Sequence, residues 1–253
     1  MLHFLNYTSP TPADDLALEE VLHLAVEDGT LPAIWRLWQP AQRAVILGTG
    51  QESAKEAHLE LARATGVPVL RRHSGGGAVV IGPGAINYSF FFPYALLPGS
   101  ETIQGATRAA LEPIIRTLAA WGLSAQLAGL SDLAVTGADG TLRKIAGNSQ
   151  ARKKNSVVVH GTLLADPDWA AIEALLRFPS STPDYRAGRS HREFLTSLRD
   201  HGAPVSLEEF AGAFAVQLPP DTIRLAAPDA SLLARARALA AEKYGLDAWN
   251  LRR

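Results

Sequence analysis

Residues 67–92 restrict the fold more tightly than any other stretch. A β-rich run, 67–70, passes through Arg71, Arg72, His73 and Ser74 into Gly75, Gly76 and Gly77, and β-branched residues resume at once in 78–81. Three successive glycines exceed what a hairpin needs, since each loses extra backbone entropy on folding and an Asn-Gly pair would make the turn. Bulk-free backbone beside arginines suits N–H groups that approach an anion closely. Two familiar phosphate cradles do not fit. A P-loop needs G-x-x-x-x-G-K-[ST], which is missing. A dinucleotide fingerprint needs glycines that open a helix, whereas Val79, Val80 and Ile81 read as a strand. What remains is a strand–loop–strand nest with Arg71 alongside.

The rest of the chain alternates paired strands with helices. Thr11, Pro12 and Asp14 predict a capped helix start, with Leu16, Val21 and Leu24 on its apolar face. Strands are predicted at 33–38 and 44–47, then a helix opened by a Ser53/Glu56 capping box and stopped by Gly66. Further strands fall at 87–92, at 132–135 and 142–145 around a Gly137–Gly140 hairpin, and at 157–160. Helices are predicted over 102–121, after Asp166-Pro167, after the Ser206/Glu209 capping box, and over 232–244. Strands in neighbouring pairs argue an α+β fold on a mixed, largely antiparallel sheet flanked by helices. Residues 178–192 form the one candidate linker.

Composition removes several function classes. The 253 residues include no cysteine, which excludes disulfides, thiolate metal sites and a cysteine nucleophile. A net charge of −1 gives no nucleic-acid footprint. There is no basic, apolar leader and no run of about 18 apolar residues that would span a membrane. A cytoplasmic protein is expected.

Several positions outside the glycine loop could carry chemistry. Lys144 stands beside Ala146 and Gly147, small residues that let a ligand approach the backbone, and an ammonium can stabilise charge on phosphate or carboxylate oxygens. A strand lysine exposed to solvent is the plain alternative. His160-Gly161-Thr162 ends a β-branched strand, where a lone histidine is more often structural. Ser74 has no base adjacent in sequence, so hydrolase chemistry has no specific support. No acid–histidine spacing suggests a metal site. Arg152-Lys153-Lys154 and Arg186, Arg189 and Arg192 read either as solvated turns or as basic patches for an acidic partner.

In this order, the segments 12–20, 35–48, 71–79, 132–135, 143–148 and 160–164 resemble the lipoate–protein ligase A family, within the wider biotin/lipoate ligase and octanoyltransferase fold. The resemblance implies activation of lipoate or octanoate by ATP and Mg²⁺ to an acyl adenylate. Transfer follows to a lysine on a lipoyl domain, of a 2-oxoacid dehydrogenase E2 or of the glycine-cleavage H protein. Lys144 matches the catalytic lysine by motif position. Arg71, Ser74, Gly75, Gly76, Gly77 and Ala78 match the loop lining the acyl and phosphate site, and Mg²⁺ would be held mainly through phosphates. Asn87, Asp132, Ala146 and Gly147 join the binding set, and His160, Gly161 and Thr162 match the segment closing over the adenylate. The implied arrangement is a catalytic core over 1–180 and a mainly helical extension over 181–253 packed on it, too short for a full accessory domain. Val80 and Ile81 replace an aromatic and a histidine common in the family, and Ser131 a common asparagine. Some single-domain members need a separate activation protein. Four alternatives stay open: a cysteine-independent octanoyl or lipoyl transferase, a ligase subunit that needs a separate activation protein, a biotin ligase, and a non-catalytic acyl- or nucleotide-binding protein.

Overall fold

A computed structural model describes residues 1–253. In chain order its strands are β1 (Leu2–Asn6), β2 (Ala33–Trp38), β3 (Ala44–Leu47), β4 (Val69–Arg71), β5 (Val79–Ile81), β6 (Ala85–Pro93), β7 (Ala125–Ala128), β8 (Asp132–Thr136), β9 (Leu142–Arg152), β10 (Ser156–Leu164) and β11 (Ile223–Leu225). The helices are α1 (Pro12–Glu27), α2 (Ser53–Glu56), α3 (Leu59–Ala64), α4 (Ile103–Ala120), α5 (Trp169–Leu175), α6 (His191–Phe194), α7 (Leu207–Val216), α8 (Ala230–Leu239) and α9 (Asp247–Asn250). No helix is long and apolar enough to cross a membrane.

The strands form two sheets. The eight-stranded sheet has the order β11-β1-β2-β6-β10-β9-β8-β7, and the three-stranded sheet the order β4-β3-β5. Pairing is antiparallel from β2 to β7 and parallel at β11-β1-β2 and β3-β4. The fold is therefore the expected α+β layer on a mixed, largely antiparallel sheet.

Strand alternation fills both faces of the large sheet. Phe90, Phe92, Val157 and Val159 turn to one side, where Leu111, Ile114 and Leu118 of α4 and Phe210 and Phe214 of α7 close a core of 27 residues. Phe91 and Val158 turn to the other, onto Leu18, Val21 and Leu22 of α1. That second core also takes Ile46, Leu70 and Ile81 from the small sheet and Ala236, Ala240 and Tyr244 from the C-terminal helices. Helix α1 thus binds the two sheets together. Core residues come from both sides of residue 180.

A buried ion network fixes α1 on β2. Arg36 and Asp15 are fully buried, and the Arg36 guanidinium donates to Asp15, to Glu19 Oε1 at 3.3 Å and to the Tyr7 carbonyl at 3.2 Å. Burial pushes the Asp15 carboxyl up, against the pull of Arg36 and Ser9.

Thr11 and Ser206 cap their helices as expected, each accepting a hydrogen bond from the helix backbone, and Thr102 does the same for α4. Ser53 does not cap, because its N–H and hydroxyl both donate to the Arg253 carbonyl. The single helix expected there is instead two short ones, α2 and α3, broken where Ala57 bridges to Leu176. The expected linker 178–192 is packed down: Arg186 is buried between the rings of Phe178 and Phe194. Arg189 donates to the Leu142 and Tyr185 carbonyls. These two arginines hold the segment in place and do not form a free basic patch.

Candidate active site in the cleft between the sheets

The glycine loop joins β4 of the small sheet to β5 and lies over β9 and β10 of the large one. Its carbonyls face inward. Arg72 donates to Gly75 O from Nε at 3.0 Å and to Gly77 O from Nη2 at 2.8 Å, and Ser149 Oγ donates to Gly75 O at 2.8 Å. Burial without a carboxylate partner lowers the Arg72 guanidinium to about 10. With the carbonyls tied back, the amides of residues 73–78 donate to no protein acceptor. Gly76 takes a positive φ of 82°, and Gly48 beneath it has no room for a Cβ, which would fall 2.1 Å from Gly76 O.

Arg71 points the other way. Its fully buried guanidinium donates to the Asn250 carbonyl at 3.0 Å, Gly48 O at 2.8 Å and Gln51 O at 2.7 Å. The arginine at the loop is Arg72.

Lys144 reaches the cleft through a β-bulge. Opposite Leu133 and Ala134 the β8–β9 register jumps from Ala146 to Lys144, leaving Ile145 extra. Ile145 and Ala146 both enter the core under α4, so Ala146 does not face the cleft. Lys144 and Gly147 share the opposite face: a Cβ on Gly147 would stand 2.7 Å from Lys144 Nζ. The ammonium lies 2.8 Å from Asp132 Oδ1, with its side chain 26% exposed. Tyr185, from the expected linker, donates to Asp132 Oδ2 at 2.9 Å. Burial and the Asp132 charge both push the Tyr185 hydroxyl up, keeping it a donor.

Thr162 pairs with Gly147, and His160 pairs with Ser149, on the same face. Alternate strand residues stand about 7 Å apart, so Lys144 over Gly147 and His160 beside Ser149 share one face of the large sheet, the face the glycine loop lies over. Thr162 Oγ1 donates to Asn87 Oδ1 at 2.8 Å, which anchors Asn87 between β6 and β10. Gly161 faces the other side, where a Cβ would fall 2.1 Å from Asn148 Oδ1 and 2.7 Å from the Tyr88 hydroxyl. Gly161 therefore makes room for the Tyr88–Asn148 hydrogen bond of 2.6 Å. Ala78 packs at the edge of the small-sheet core.

His160 is not alone. Its Nε2 lies 2.6 Å from Ser74 Oγ, and its Nδ1 lies 3.1 Å from Glu19 Oε2. The sequence reading saw no base for Ser74, because the partners come from β10 and α1. One signal for Glu19 was available. Asp15 and Glu19 are four apart on the buried stripe of α1, and Arg36 sits inside the apolar run AIWRLW. Arg72, Ser149 and Tyr185 also line the site and were not singled out as site residues.

A cleft with a fixed ammonium, unpaired backbone amides and a histidine-linked hydroxyl is suited to acyl transfer. The model of the lipoyl protein ligase A/B catalytic domain matches residues 11–218, and the chain belongs to that family. It is 31% identical to the octanoyltransferase LipM of Kyrpidia tusciae over 95% of each chain. It is 33% identical to the lipoate-protein ligase LplJ of Bacillus subtilis, over 66% of this chain and 46% of that one. The fold superposes with a TM-score of 0.80 on an archaeal bipartite lipoate protein ligase from Thermoplasma acidophilum. That match is 23% identical and covers 98% of this chain and 95% of the other. The protein is thus an enzyme of the lipoate ligase and octanoyltransferase family.

Proposed function

We propose that the chain transfers an octanoyl or lipoyl group to the ε-amine of a lysine on a lipoyl domain, of a 2-oxoacid dehydrogenase E2 or of a glycine-cleavage H protein. The observation that carries this reading is the Lys144 ammonium, set over Gly147 and braced by Asp132, facing a cleft with unpaired loop amides. Negative charge develops on the acyl oxygen as the amine attacks, and fixed donors stabilise it without reorganising. Asp132 and Tyr185 position Lys144.

The donor is an acyl thioester on a carrier protein. The end-to-end similarity to octanoyltransferases supports this, as does a hydroxyl with its own base in the cleft. A second reading, ATP-dependent ligation, is favoured by the loop itself. Amides 75–77 and Lys144 would hold a phosphate of a bound nucleotide, whose adenylate supplies the activated acyl group. No His, Cys, Asp or Glu cluster could hold a metal, so Mg²⁺ would be carried by the phosphates.

The test offers an apo lipoyl domain and either an octanoyl-carrier thioester or octanoate with ATP and Mg²⁺, and follows acceptor mass. Octanoylation is expected from the thioester. Lys144→Ala should lower kcat by roughly 10²–10³ with melting unchanged. Octanoylation from ATP and octanoate alone establishes the second reading, and parental turnover in Lys144→Ala removes the first one's basis.

A further inference from the structure

We infer that Ser74 is a nucleophile, whose hydroxyl carries the acyl group as an ester between donor and acceptor. The inference rests on the acyl-transfer reading and supplies a covalent carrier in a chain that has no thiol.

With His160 as the neutral imidazole that a general base must be, the hydrogen-bond roles at this site leave one proton arrangement. Glu19 is 1% exposed and surrounded by donors: Ser89 Oγ lies 2.7 Å from each carboxylate oxygen and Arg36 Nη1 3.3 Å from Oε1. Burial pushes the Glu19 carboxyl up, but the contacts with His160, Arg36 and Ser89 outweigh it and hold the group below its usual range. An ionised carboxylate only accepts, so His160 Nδ1 carries the hydrogen in that 3.1 Å contact. Nε2 then presents its lone pair to Ser74. Arg72 Nε, which can only donate, lies 3.0 Å from Ser74 Oγ, so the hydroxyl hydrogen turns to His160. Hydroxyl, base and orienting acid are in series, and the roles rather than the chain order define such a relay.

The surroundings match the role. The amide directly after Ser74, on Gly75, is unpaired, as is that of Gly76. The amide following a nucleophile is a common oxyanion donor. Ser74 is 1% exposed and the His160 side chain 11%, so the acyl carbon reaches Oγ from the His160 side of the cleft. A hydrogen bond made only for stability would not require open amides next to it.

The reaction balances without an oxidant or reductant. Ser74 Oγ attacks the thioester carbonyl, and its proton passes to His160 Nε2. The C–S bond breaks and that proton goes to the leaving sulfur, giving the Ser74 ester and a free carrier thiol. The acceptor lysine, as a neutral amine, then attacks the ester carbonyl. The C–O bond breaks, and an amine proton returns through His160 to Ser74 Oγ.

The experiment mixes the full chain with octanoyl-acyl carrier protein, with no acceptor, and quenches in acid. Intact mass and peptide mapping should show one octanoyl group on Ser74, chased off by a lipoyl domain. Ser74→Ala should lose the adduct and at least 10²-fold of transfer. Ser74→Cys should form an adduct that neutral hydroxylamine releases, while the parent ester resists. Parental transfer by a folded Ser74→Ala overturns the inference, as does wild-type turnover with no adduct on either Ser74 or Cys in its place. If the wild type octanoylates nothing from the thioester or from octanoate with ATP, the acyl-transfer reading itself has failed. If only ATP supports turnover, the same variants are read with octanoyl-AMP as the donor, against the same two criteria.

Discussion

Replacing Gly147 with alanine should disable the site and leave the fold intact. The new Cβ would stand 2.7 Å from both Cε and Nζ of Lys144, and 3.9 Å from Asp132 Oδ1. Non-bonded atoms settle at about 3.5–4.0 Å, so the ammonium must retreat by roughly 1 Å. Only the far end of a flexible side chain is in the way, and no backbone has to shift. The retreat pulls Nζ off its 2.8 Å contact with Asp132 and away from where the acyl oxygen would sit. A displacement of ~1 Å in a catalytic group can cost about 10²-fold in rate. Folding should not suffer, because alanine inside a strand is favoured over glycine by roughly 0.5–1 kcal/mol. Steady-state octanoyl transfer and a thermal melt together give the answer. The expected variant has kcat down about 10²-fold and a Tm equal to the parent's or ~2–4 °C higher. Parental kcat would show that the seat of Lys144 does not matter. A clearly lower Tm would show that the backbone, not the lysine, gives way.

Other outcomes follow from the same geometry. Arg36→Met leaves Asp15 and Glu19 buried without their counter-charge, and urea unfolding should show a loss of about 3–5 kcal/mol; a loss below 1 would mean that water reaches the pair. His23 and His73 are lowered to about 3 and about 4, first by burial and then by neighbouring histidine charge. Between those values and the unfolded 6.5 the unfolded chain binds more protons, so stability is complete above pH 6.5 and falls as pH drops below it. Each histidine should contribute a slope of about 1.4 kcal/mol per pH unit there, and His23→Phe should flatten the profile; parallel profiles would refute this. Gly76→Val puts a side chain at φ 82°, 2.9 Å from Arg72 Nη2, so octanoyl transfer should fail, and a folded variant with parental transfer would refute the cradle.

What could be read from the sequence was mostly local. Thr11 and Ser206 were legible as caps because the donor and acceptor lie within three residues. Ser53 was misleading because its competitor, Arg253, arrives from 200 residues away. Lys144 was legible by motif, yet its direction depends on the bulge at Ile145, which composition does not reveal. Arg71 and Arg72 look alike in sequence, but Arg71 ends β4 with its guanidinium on the Gly48, Gln51 and Asn250 carbonyls, and Arg72, the next residue, turns to the Gly75 and Gly77 carbonyls and holds the loop. The link from Ser74 to His160 and Glu19 joins three separate elements and had no local signature. Strands β1, β7 and β11 were missed: β7 and β11 are the two edge strands of the large sheet, and β1 pairs parallel on both sides.

The two walls of the cleft differ in compliance. Behind His160, strand β10 is laddered to β6 on one side and to β9 on the other along nearly its whole length. Opposite it, the glycine loop is slung between β4 and β5, three-residue edge strands that share β3 as their one neighbour. A guest entering between them meets one stiff surface and one thin one, so the loop side yields first. In the proposed reaction the stiff side would set where the acyl carbon stops, and the thin side how wide a chain is admitted.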